Sequence, residues 1–252
     1  MEFRQKKILI VDDNPTFIMY VAILLKRMGF TVIPSNSAEE AKKLLKMTEP
    51  DLIMLDVRMP NMDGIDLLQN IKNDKQTSHI PVVMVSVDAN KETIEKCKGL
   101  GCPEYLIKPF KIDKLHEVLQ QCIFSKLGQG RKCIRAPFTK MVKVVFKGNS
   151  YKLYSESISE IGIYLRTKDP FPVGSKLKIT VPLKAHKTIR LQGIVVYIKG
   201  IFGDVFRIPP GMAVEFTSIN RNNAKKIKDS VTEILAGDIL EAQEEVVIEK
   251  GD

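Results

Sequence analysis

Five polar or charged side chains come directly after, or at the end of, short apolar runs that are typical of buried strands. Asp12 and Asp13 follow the first apolar run, and Asp56 follows the third. Ser86 ends the fourth run and Lys108 the fifth. Because parallel strands deliver the residues at their carboxyl ends to one edge of a sheet, we expect these side chains to lie close together. A lone aspartate at a strand end is more often a helix cap or a solvated turn, but the coincidence of all five favours a site.

The types of these five residues predict handling of a phosphoryl group. Three converging carboxylates repel one another and therefore need a cation, and an all-oxygen cluster suits Mg²⁺ better than zinc. A carboxylate beside Mg²⁺, a hydroxyl group and an ammonium group can accept a phosphoryl group, because each developing negative oxygen then meets a positive or hydrogen-bonding partner.

The elements that must position this site are strands and helices in alternation. Asn14 and Pro15 mark the start of one helix, and Ser37 with Glu40 forms a capping box at the start of the next. The predicted strands are residues 8–11, 31–34, 52–55, 81–85 and 105–107. The predicted helices are residues 15–28, 38–46, 64–71, 91–98 and 112–124. This alternation indicates an α/β fold with a doubly wound, five-stranded parallel sheet.

The motifs of this half resemble those of a known family. They are the acidic pair 12–13, the stretch DVRMP at 56–60 followed by MDG at 62–64, Ser86 at 30 residues beyond Asp56, and YLIKPF at 105–110. Residues 5–123 thereby resemble the receiver domain of response regulators, which has a flavodoxin-like fold. The resemblance implies that Asp56 is the phosphoacceptor and that a sensor histidine kinase phosphorylates it.

The resemblance also implies the metal ligands. Mg²⁺ would be held by Asp13, by Asp56 and by the backbone carbonyl of Arg58, with Asp12 assisting.

The remaining receiver residues have expected roles in switching. Ser86 and Tyr105 would form the switch pair, Lys108 would contact the phosphoryl group, and the Lys108–Pro109 peptide bond is expected to be cis. The surface that responds to phosphorylation would lie at about residues 91–123.

Three positions depart from, or adjust, the usual receiver pattern. Val87 stands where a small alanine is common, and we expect it to narrow the access to Asp56. Arg58 and Asp88 occupy positions that tune how long the phosphoryl group survives. We hypothesise that an Arg58–Asp88 pair shields the acylphosphate from water and lengthens its lifetime.

The charge of the chain is distributed unevenly. The net charge of +9 divides into zero for residues 1–125 (17 basic, 17 acidic), +14 for residues 126–235 (21 basic, 7 acidic) and −5 for residues 236–252 (1 basic, 6 acidic). The middle region predicts an anionic partner, although a solvated basic surface gives the same sum.

The pattern of elements changes after residues 128–130. Residues 142–146, 176–181, 188–196 and 212–216 are predicted as strands, separated by Gly and Pro turns. One helix follows, capped by Asn220, with Ile227, Val231 and Ile234 on one face and Gly237 at its end. These elements predict a small antiparallel barrel or sandwich with a terminal helix.

Two short motifs suggest a ligand for this second half. Arg131 and Arg135 are four residues apart, and arginine forks suit phosphates and purine edges. Ser157, Ser159 and Gly162 form S-x-S-x-x-G. Together with the strand segments around Gly193 and Gly211, residues 130–235 resemble the PilZ domain, an all-β six-stranded barrel with a C-terminal helix that binds cyclic di-GMP.

The PilZ resemblance implies roles for these residues. Arg131 and Arg135 would hold phosphate and guanine, Ser159 would contact the ligand, and Gly162 would permit a close approach of the backbone. Ser157 departs from the family motif, which has Asp or Asn there, and we expect this to weaken binding roughly tenfold without abolishing it.

Two aromatic side chains lie close to the S-x-S-x-x-G motif. Tyr151 and Tyr154 are expected to belong to the barrel core rather than to stack on a base.

We therefore predict residues 1–123 to be a receiver domain, 124–130 a linker, 131–236 a PilZ-like barrel and 237–252 an acidic flexible tail. The predicted function is that of a bacterial two-component response regulator, phosphorylated on Asp56, whose PilZ domain binds cyclic di-GMP and relays the signal by protein–protein interaction. It is not expected to be an enzyme. The alternative is a receiver–PilZ adaptor whose barrel binds no nucleotide and docks a protein partner.

Other classes of function and location are disfavoured. No helix-turn-helix follows the receiver, so no DNA partner is expected. Neither a signal peptide nor an apolar run of membrane-spanning length is visible, which predicts a cytoplasmic protein without a membrane partner. The four cysteines lack C-x-x-C spacing and are expected to be reduced thiols. The downstream protein is unknown, and a homodimer is possible.

Overall fold

A computed structural model of the protein describes residues 5–60, 62–124, 133–183, 188–200 and 209–237. The chain divides into two units, residues 1–132 and 133–252. Most of the predicted linker 124–130, Arg131 and the predicted tail beyond Gly237 lie outside the described residues.

The first unit contains a parallel sheet of five strands in the order β2-β1-β3-β4-β5. The strands are β1 (Lys7–Val11), β2 (Thr31–Ser35), β3 (Leu52–Leu55), β4 (Val82–Ser86) and β5 (Glu104–Ile107). The helices are α1 (Pro15–Arg27), α2 (Ala38–Thr48), α3 (Gly64–Asn73), α4 (Lys91–Gly99) and α5 (Ile112–Leu119). The predicted doubly wound fold is confirmed. The predicted helix ends agree to within two residues, except that the helix predicted over 112–124 is α-helical only to Leu119 and continues as a π-helical turn over Gln120–Phe124.

Local sequence signals explain where the first two helices begin. The Asn14 side chain accepts hydrogen bonds from the backbone N–H groups of Thr16 and Phe17, as an N-cap does. Ser37 accepts from the Glu40 N–H. The Glu40 carboxylate reaches back to the N–H of Asn36, one residue before the position expected in a capping box.

The core of this unit lies along the three central strands. All residues of β3 and β4, and all but the first of β1, are buried. Continuous apolar burial of this kind requires cover on both faces of the sheet, as the alternation of strands and helices predicts. The carboxyl ends of these strands are thereby held on a rigid frame.

The second unit is an antiparallel barrel. Its elements are β6 (Arg135–Pro137), β7 (Met141–Phe146), β8 (Asn149–Ser159), β9 (Gly162–Arg166), β10 (Lys176–Pro182), β11 (Thr188–Lys199), β12 (Gly211–Thr217) and α6 (Arg221–Ala236). Six strands close on one another in the order β8-β7-β10-β11-β12-β9, because β9 pairs back with β8, and β6 adds to β8. The predicted six-stranded barrel with a C-terminal helix is confirmed.

The pairing is interrupted at two places. The β8–β9 register shifts between Ser155 and Ser157, and the β11–β12 register shifts between Val195 and Tyr197. Each shift is a bulge that reorients the side chains beyond it.

The C-terminal helix differs from its prediction in one residue. Ile227, Val231 and Leu235 are its large buried side chains, whereas Ile234, predicted to face the core, is only partly buried. Residues 227, 231 and 234 also fall on one helical face, so the spacing alone does not distinguish Ile234 from Leu235. The packing of α6 on the barrel, which buries Leu235 and Ala236, decides between them.

Candidate functional site

The three aspartates predicted to converge do so at the carboxyl end of the parallel sheet. One carboxylate oxygen from each of Asp12, Asp13 and Asp56 lies within 4.8 Å of the others. Asp12 and Asp56 are buried, and Asp13 is exposed. The cluster therefore combines buried negative charge with one ligand that water can reach.

Lys108 partly neutralises this cluster. Its ammonium group donates to Asp12 Oδ2 at 2.5 Å and to Asp56 Oδ2 at 3.1 Å. The same nitrogen lies 4.0 Å from the centre of the Phe17 ring, a cation–π contact that sequence analysis did not identify. Phe17 itself packs edge-on against Phe110, which follows the cis Lys108–Pro109 peptide bond.

The electrostatics of the cluster favour a further positive charge. Burial raises the pKa of Asp12 above its ordinary value, and the hydrogen bond from Lys108 opposes that shift without cancelling it. Asp56 Oδ1 is buried and accepts no hydrogen bond within the described part of the chain. An unpartnered buried oxygen beside two further carboxylates is a donor set that fits Mg²⁺.

The two predicted switch residues are joined through Asp88. Ser86 is fully buried, and its Oγ accepts from the Asp88 N–H at 3.3 Å. The Tyr105 hydroxyl donates to the Asp88 carbonyl oxygen at 2.8 Å. Burial raises the pKa of Tyr105 above its ordinary value and so favours the protonated hydroxyl that donates this hydrogen bond.

The hypothesised ion pair at the rim of the site is present. Arg58 Nη2 lies 2.9 Å from Asp88 Oδ2, and this hydrogen bond raises the pKa of Arg58. The carboxylate of Asp88 also accepts from the Asn90 N–H and from Thr93 Oγ1, and these bonds hold its pKa below the ordinary value. Val87, predicted to narrow the access to the site, is 70% exposed.

Gly64 is a residue of the site region whose role the sequence motif did not reveal. A Cβ atom at this position would lie 1.8 Å from the backbone carbonyl oxygen of Asp56, so no larger residue fits there. Its N–H donates to the Val57 carbonyl at 2.8 Å, and Asp63 caps α3 through the Ile65 N–H. The start of α3 therefore packs directly against the backbone of Asp56 and Val57.

Four of the five residues predicted for the second site line one cavity on the barrel. Arg135, Ser157, Ser159 and Gly162 border a space of about 110 Å³. The fifth, Arg131, lies outside the described residues. Strand pairing explains the convergence, because Arg135 pairs with Ser159, and Ser159 pairs with Gly162.

The polar groups of this cavity differ in whether they already form hydrogen bonds within the protein. The Ser159 hydroxyl is buried and donates to the Gly162 carbonyl at 3.2 Å, so it closes the turn. Neither the exposed Arg135 guanidinium nor the Ser157 hydroxyl has a polar partner within the described residues. Arg135 and Ser157 are therefore the free donors of the cavity.

Close strand packing explains the glycine of the motif. A Cβ atom on Gly162 would lie 2.6 Å from the Val214 carbonyl oxygen of β12. Since Gly162 opens β9 directly beside β12, the absence of a side chain is required for the pairing that shapes the cavity.

Two further residues of the cavity were not identified from the sequence. Tyr164 is buried, donates to the Pro209 carbonyl at 2.7 Å, and burial raises its pKa to about 12. Glu215 also lines the cavity. Nothing in their local sequence marks either residue as part of a site, so only the closed barrel reveals them as neighbours of the motif.

The two tyrosines assigned to the barrel core have different positions. Tyr151 packs edge-on against Phe171, with ring centres 5.0 Å apart. Tyr154 is 55% exposed, so its assignment to the core was wrong. It lies on β8 opposite Met141, which is also exposed. Side chains alternate between the two faces of a strand, and position 154 of β8 falls on the outer face, so Tyr154 is not in the core.

Comparison with known proteins identifies the class to which the chain belongs. Residues 8–120 match the family model of the response regulator receiver domain. The chain is 38% identical over 130 residues to chemotaxis protein CheY-3 of Vibrio cholerae, covering 49% of this chain and 95% of that protein. It is also 34% identical over 125 residues to the two-component response regulator ARR2 of Arabidopsis thaliana, covering 49% of this chain and 18% of that protein. The chain therefore belongs to the response regulator receiver family.

The second half narrows this class. Residues 129–233 match the family model of the PilZ domain. The protein is thus a response regulator that joins an N-terminal receiver domain to a C-terminal PilZ domain. Among solved structures, chemotaxis response regulator CheY4 of Vibrio cholerae is 27% identical, with a TM-score of 0.45, covering 47% of this chain and 99% of that one.

Within the described ranges, no helix has the length and apolar character needed to cross a membrane. All four cysteines are free thiols, and burial raises the pKa values of Cys97 and Cys122 to about 11. These two thiols are therefore poor nucleophiles at neutral pH.

Proposed function

We propose that this protein is a cytoplasmic two-component response regulator that integrates phosphorylation of Asp56 with binding of cyclic di-GMP to its PilZ domain. It acts on a downstream protein by direct contact and is not an enzyme. The observation that carries the first input is the unpartnered, buried Oδ1 of Asp56 at the carboxyl end of the sheet. The second input depends on the cavity that brings Arg135 and Ser157 together.

Phosphorylation proceeds by attack of Asp56 Oδ1 on the phosphorus of a phosphohistidine. The new O–P bond forms as the P–N bond of the donor breaks, and the histidine leaves with its electron pair. The ammonium group of Lys108, already 3.1 Å from Asp56 Oδ2, stabilises the negative charge of the transferred oxygens. The buried Ser86 hydroxyl supplies a hydrogen bond to them from the neighbouring strand.

Asp12, Asp13 and Asp56, with the Arg58 carbonyl, would hold Mg²⁺, which supplies charge neutralisation at the transferred phosphoryl group. Lys108 already pairs with two of these carboxylates, so this chain contributes its own fixed positive charge beside the acceptor. The phosphoryl group adds about −1.5 to −2 charges at pH 7. That charge would draw the Ser86 hydroxyl towards it and disturb the hydrogen bonds that join Ser86 and Tyr105 through Asp88.

Acetyl phosphate provides a kinase-independent test of this input. The wild-type chain incubated with acetyl phosphate and Mg²⁺ should gain one phosphoryl group, seen as a retarded band on a phosphate-affinity gel. Asp56→Asn should abolish the band, and the matched control Asp66→Asn, which changes an exposed aspartate of α3, should retain it. Labelling of the Asp56→Asn variant to the wild-type level would contradict the assignment.

Cyclic di-GMP would bind at the cavity of the barrel. The free guanidinium of Arg135 suits a phosphate oxygen or a guanine edge, and the free Ser157 hydroxyl lies on the strand beside it. Glu215 adds a carboxylate that can accept from the N–H groups of a guanine edge. Arg131, four residues before Arg135 in the sequence, is proposed to supply a second guanidinium to the ligand.

Titration calorimetry tests the second input. Wild-type protein should release or absorb heat on addition of cyclic di-GMP at tens of micromolar, and Arg135→Ala should lose most of the affinity. Arg221→Ala, which removes one positive charge from the first turn of α6, is the matched control and should bind like the wild type. If the wild type binds nothing in this range, the barrel is instead a protein-docking adaptor, the alternative that Ser157 in place of Asp or Asn favours.

A further inference from the structure

The barrel carries a second charged surface whose partner is not explained by either proposed input. Five basic side chains point outward from four adjacent strands, and we call this surface the basic face. Its members are Lys143, Lys152, Lys176, Lys178 and Arg190. All five are exposed.

Strand register places these cations side by side. Lys152 of β8 pairs with Lys143 of β7, Lys143 pairs with Thr180 of β10, and Thr180 pairs with Arg190 of β11. Neighbouring strands are about 4.8 Å apart, so this row spans about 14 Å across the barrel. Lys178 lies two residues along β10 from Thr180 and extends the row along the strand direction.

The basic face has no negative charge of its own. Strands β7, β10 and β11 contain no Asp or Glu, and the one acidic residue of β8, Glu156, pairs with Arg166 of β9. None of the five cations forms an ion pair within the residues that the structure describes. Like charges directly opposite each other, such as Lys143 and Lys152, destabilise a strand pair. An anionic partner would remove this cost.

The proposed nucleotide cannot be that partner, because its cavity is elsewhere on the barrel. The cavity is lined by β6, β9, β12, the C-terminal part of β8 and Val196 of β11. The basic face occupies β7, β10 and the N-terminal parts of β8 and β11. The two surfaces share no lining residue.

Exposed apolar groups border the basic face. Met141 is 45% exposed and Tyr154 is 55% exposed, and the two are paired on β7 and β8. They lie two residues from Lys143 and Lys152 along the same strands. The complementary partner is therefore an acidic segment that also carries apolar side chains.

We propose that the basic face binds the acidic C-terminal segment of the same chain, residues 238–252. This segment contains six acidic residues and one basic residue, and its apolar run Val246-Val247-Ile248 is flanked by Glu245 and Glu249. Its sequence thus complements both the five cations and the exposed Met141–Tyr154 pair.

Chain length permits this contact. The segment begins two residues after α6 ends at Ala236, and 15 extended residues reach up to about 50 Å. Because β7 and β10 are each paired on both sides, recognition occurs through side chains rather than by strand addition. The contact is therefore electrostatic in character and sensitive to salt.

Zero-length crosslinking of the full chain tests the contact directly. A carbodiimide joins carboxylates to lysine amines that touch, and mass spectrometry of the monomeric product identifies the pairs. We expect glutamates of residues 238–252 joined to Lys143, Lys152 and Lys178 several-fold more often than to Lys225 and Lys226. The preference should vanish at about 1 M NaCl, where the Debye length falls to about 3 Å. Equal joining to both groups of lysines, or joining found only in dimers, would overturn the proposal.

Truncating the acidic segment in three different backgrounds gives a second, independent measurement. Truncation after Gly237 should raise the salt concentration at which the protein elutes from heparin resin, because the basic face becomes free. In the variant Lys143→Gln/Lys152→Gln/Lys178→Gln the same truncation should have little effect. A matched variant with three neutralised cations on α6 should retain the full effect; its changes are Arg221→Gln, Lys225→Gln and Lys226→Gln.

The same measurements also distinguish the proposed contact from other partners that could bind the basic face. An equal effect of truncation in all three backgrounds would mean that the segment acts through net charge alone, which overturns the proposal. No effect of truncation in the wild-type background would assign the basic face to an external polyanion and would equally overturn it.

Discussion

Replacing Ser157 by asparagine is the sharpest test of the barrel as a nucleotide site. Ser157 lines the cavity beside Arg135, and its hydroxyl has no polar partner within the described residues. A hydroxyl offers one point of contact to a guanine edge, whereas an amide offers a donor and an acceptor together. Ser157→Asn should therefore add one hydrogen bond to the bound nucleotide.

The size of the gain follows from the net value of such a bond. One added hydrogen bond contributes about 0.5–1.5 kcal/mol, and about 1.4 kcal/mol corresponds to a tenfold change in Kd. Asparagine is less favourable than most residues in a strand, but that cost affects the free and the bound protein alike. We expect cyclic di-GMP to bind Ser157→Asn up to about tenfold more tightly than the wild type.

Titration calorimetry on the full chain measures this change. Ser157→Thr keeps a single hydroxyl and is the matched control, for which Kd should stay within about twofold of the wild type. Combining Ser157→Asn with Arg135→Ala should remove most of the gain, because both side chains would hold the same ligand. A Kd for Ser157→Asn equal to or weaker than that of the wild type would refute the placement of the ligand beside Ser157.

Three further predictions address other parts of the molecule. Arg58→Ala should shorten the lifetime of phosphorylated Asp56, measured by the decay of the retarded gel band after removal of acetyl phosphate, and an unchanged decay would argue against shielding by the Arg58–Asp88 pair. Tyr164 should ionise near pH 12 in the folded protein, well above the ordinary tyrosine pKa of 10, when absorbance near 295 nm is followed. Since its folded pKa exceeds the unfolded value of 10, its stabilising contribution should be complete below pH 10 and be lost as the pH rises to 12, and Tyr164→Phe should remove that part of the pH dependence of unfolding. Gly162→Ala should destabilise the barrel by about 1–3 kcal/mol in denaturant unfolding, because its Cβ would meet the Val214 carbonyl, and wild-type stability would contradict this close approach.

The receiver half could be predicted well because parallel topology converts positions in the sequence into positions in space. Residues at the ends of strands β1, β3 and β5 meet at one edge, and Lys108 indeed bonds Asp12 and Asp56. The sequence could not predict side-chain contacts that depend on how separate helices and loops pack, because no sequence pattern links such elements. Phe17 under the Lys108 ammonium group, and Asp88 between Ser86 and Tyr105, depend on how helix α1 and the loop after β4 pack.

The barrel was harder to predict, because its strands carry a weaker signal. β8 is polar along much of its length, and sequence analysis recognised only the motif at its end. The sequence does not show that the Ser157 hydroxyl is free whereas the Ser159 hydroxyl is hydrogen-bonded. The two differ because Ser159 donates to the Gly162 carbonyl across the turn. Tyr154 was assigned to the core because aromatic residues in strands usually are buried, whereas its position along β8 faces outward.

The bulge in β8 allows one strand to serve two surfaces. In a regular strand, Lys152 and Ser157 would point to opposite faces, because they are five positions apart and successive side chains alternate between faces. Before the bulge the odd position Ser155 is buried, at 0% exposure, and after it the even position Ile158 is buried, at 2%. The extra residue thus resets the parity of the strand and brings both Lys152 and Ser157 away from the barrel interior. Any insertion or deletion of one residue between them would exchange the core and the surface in half of the strand, so the barrel itself fixes the spacing between Lys152 of the basic face and the S-x-S-x-x-G motif.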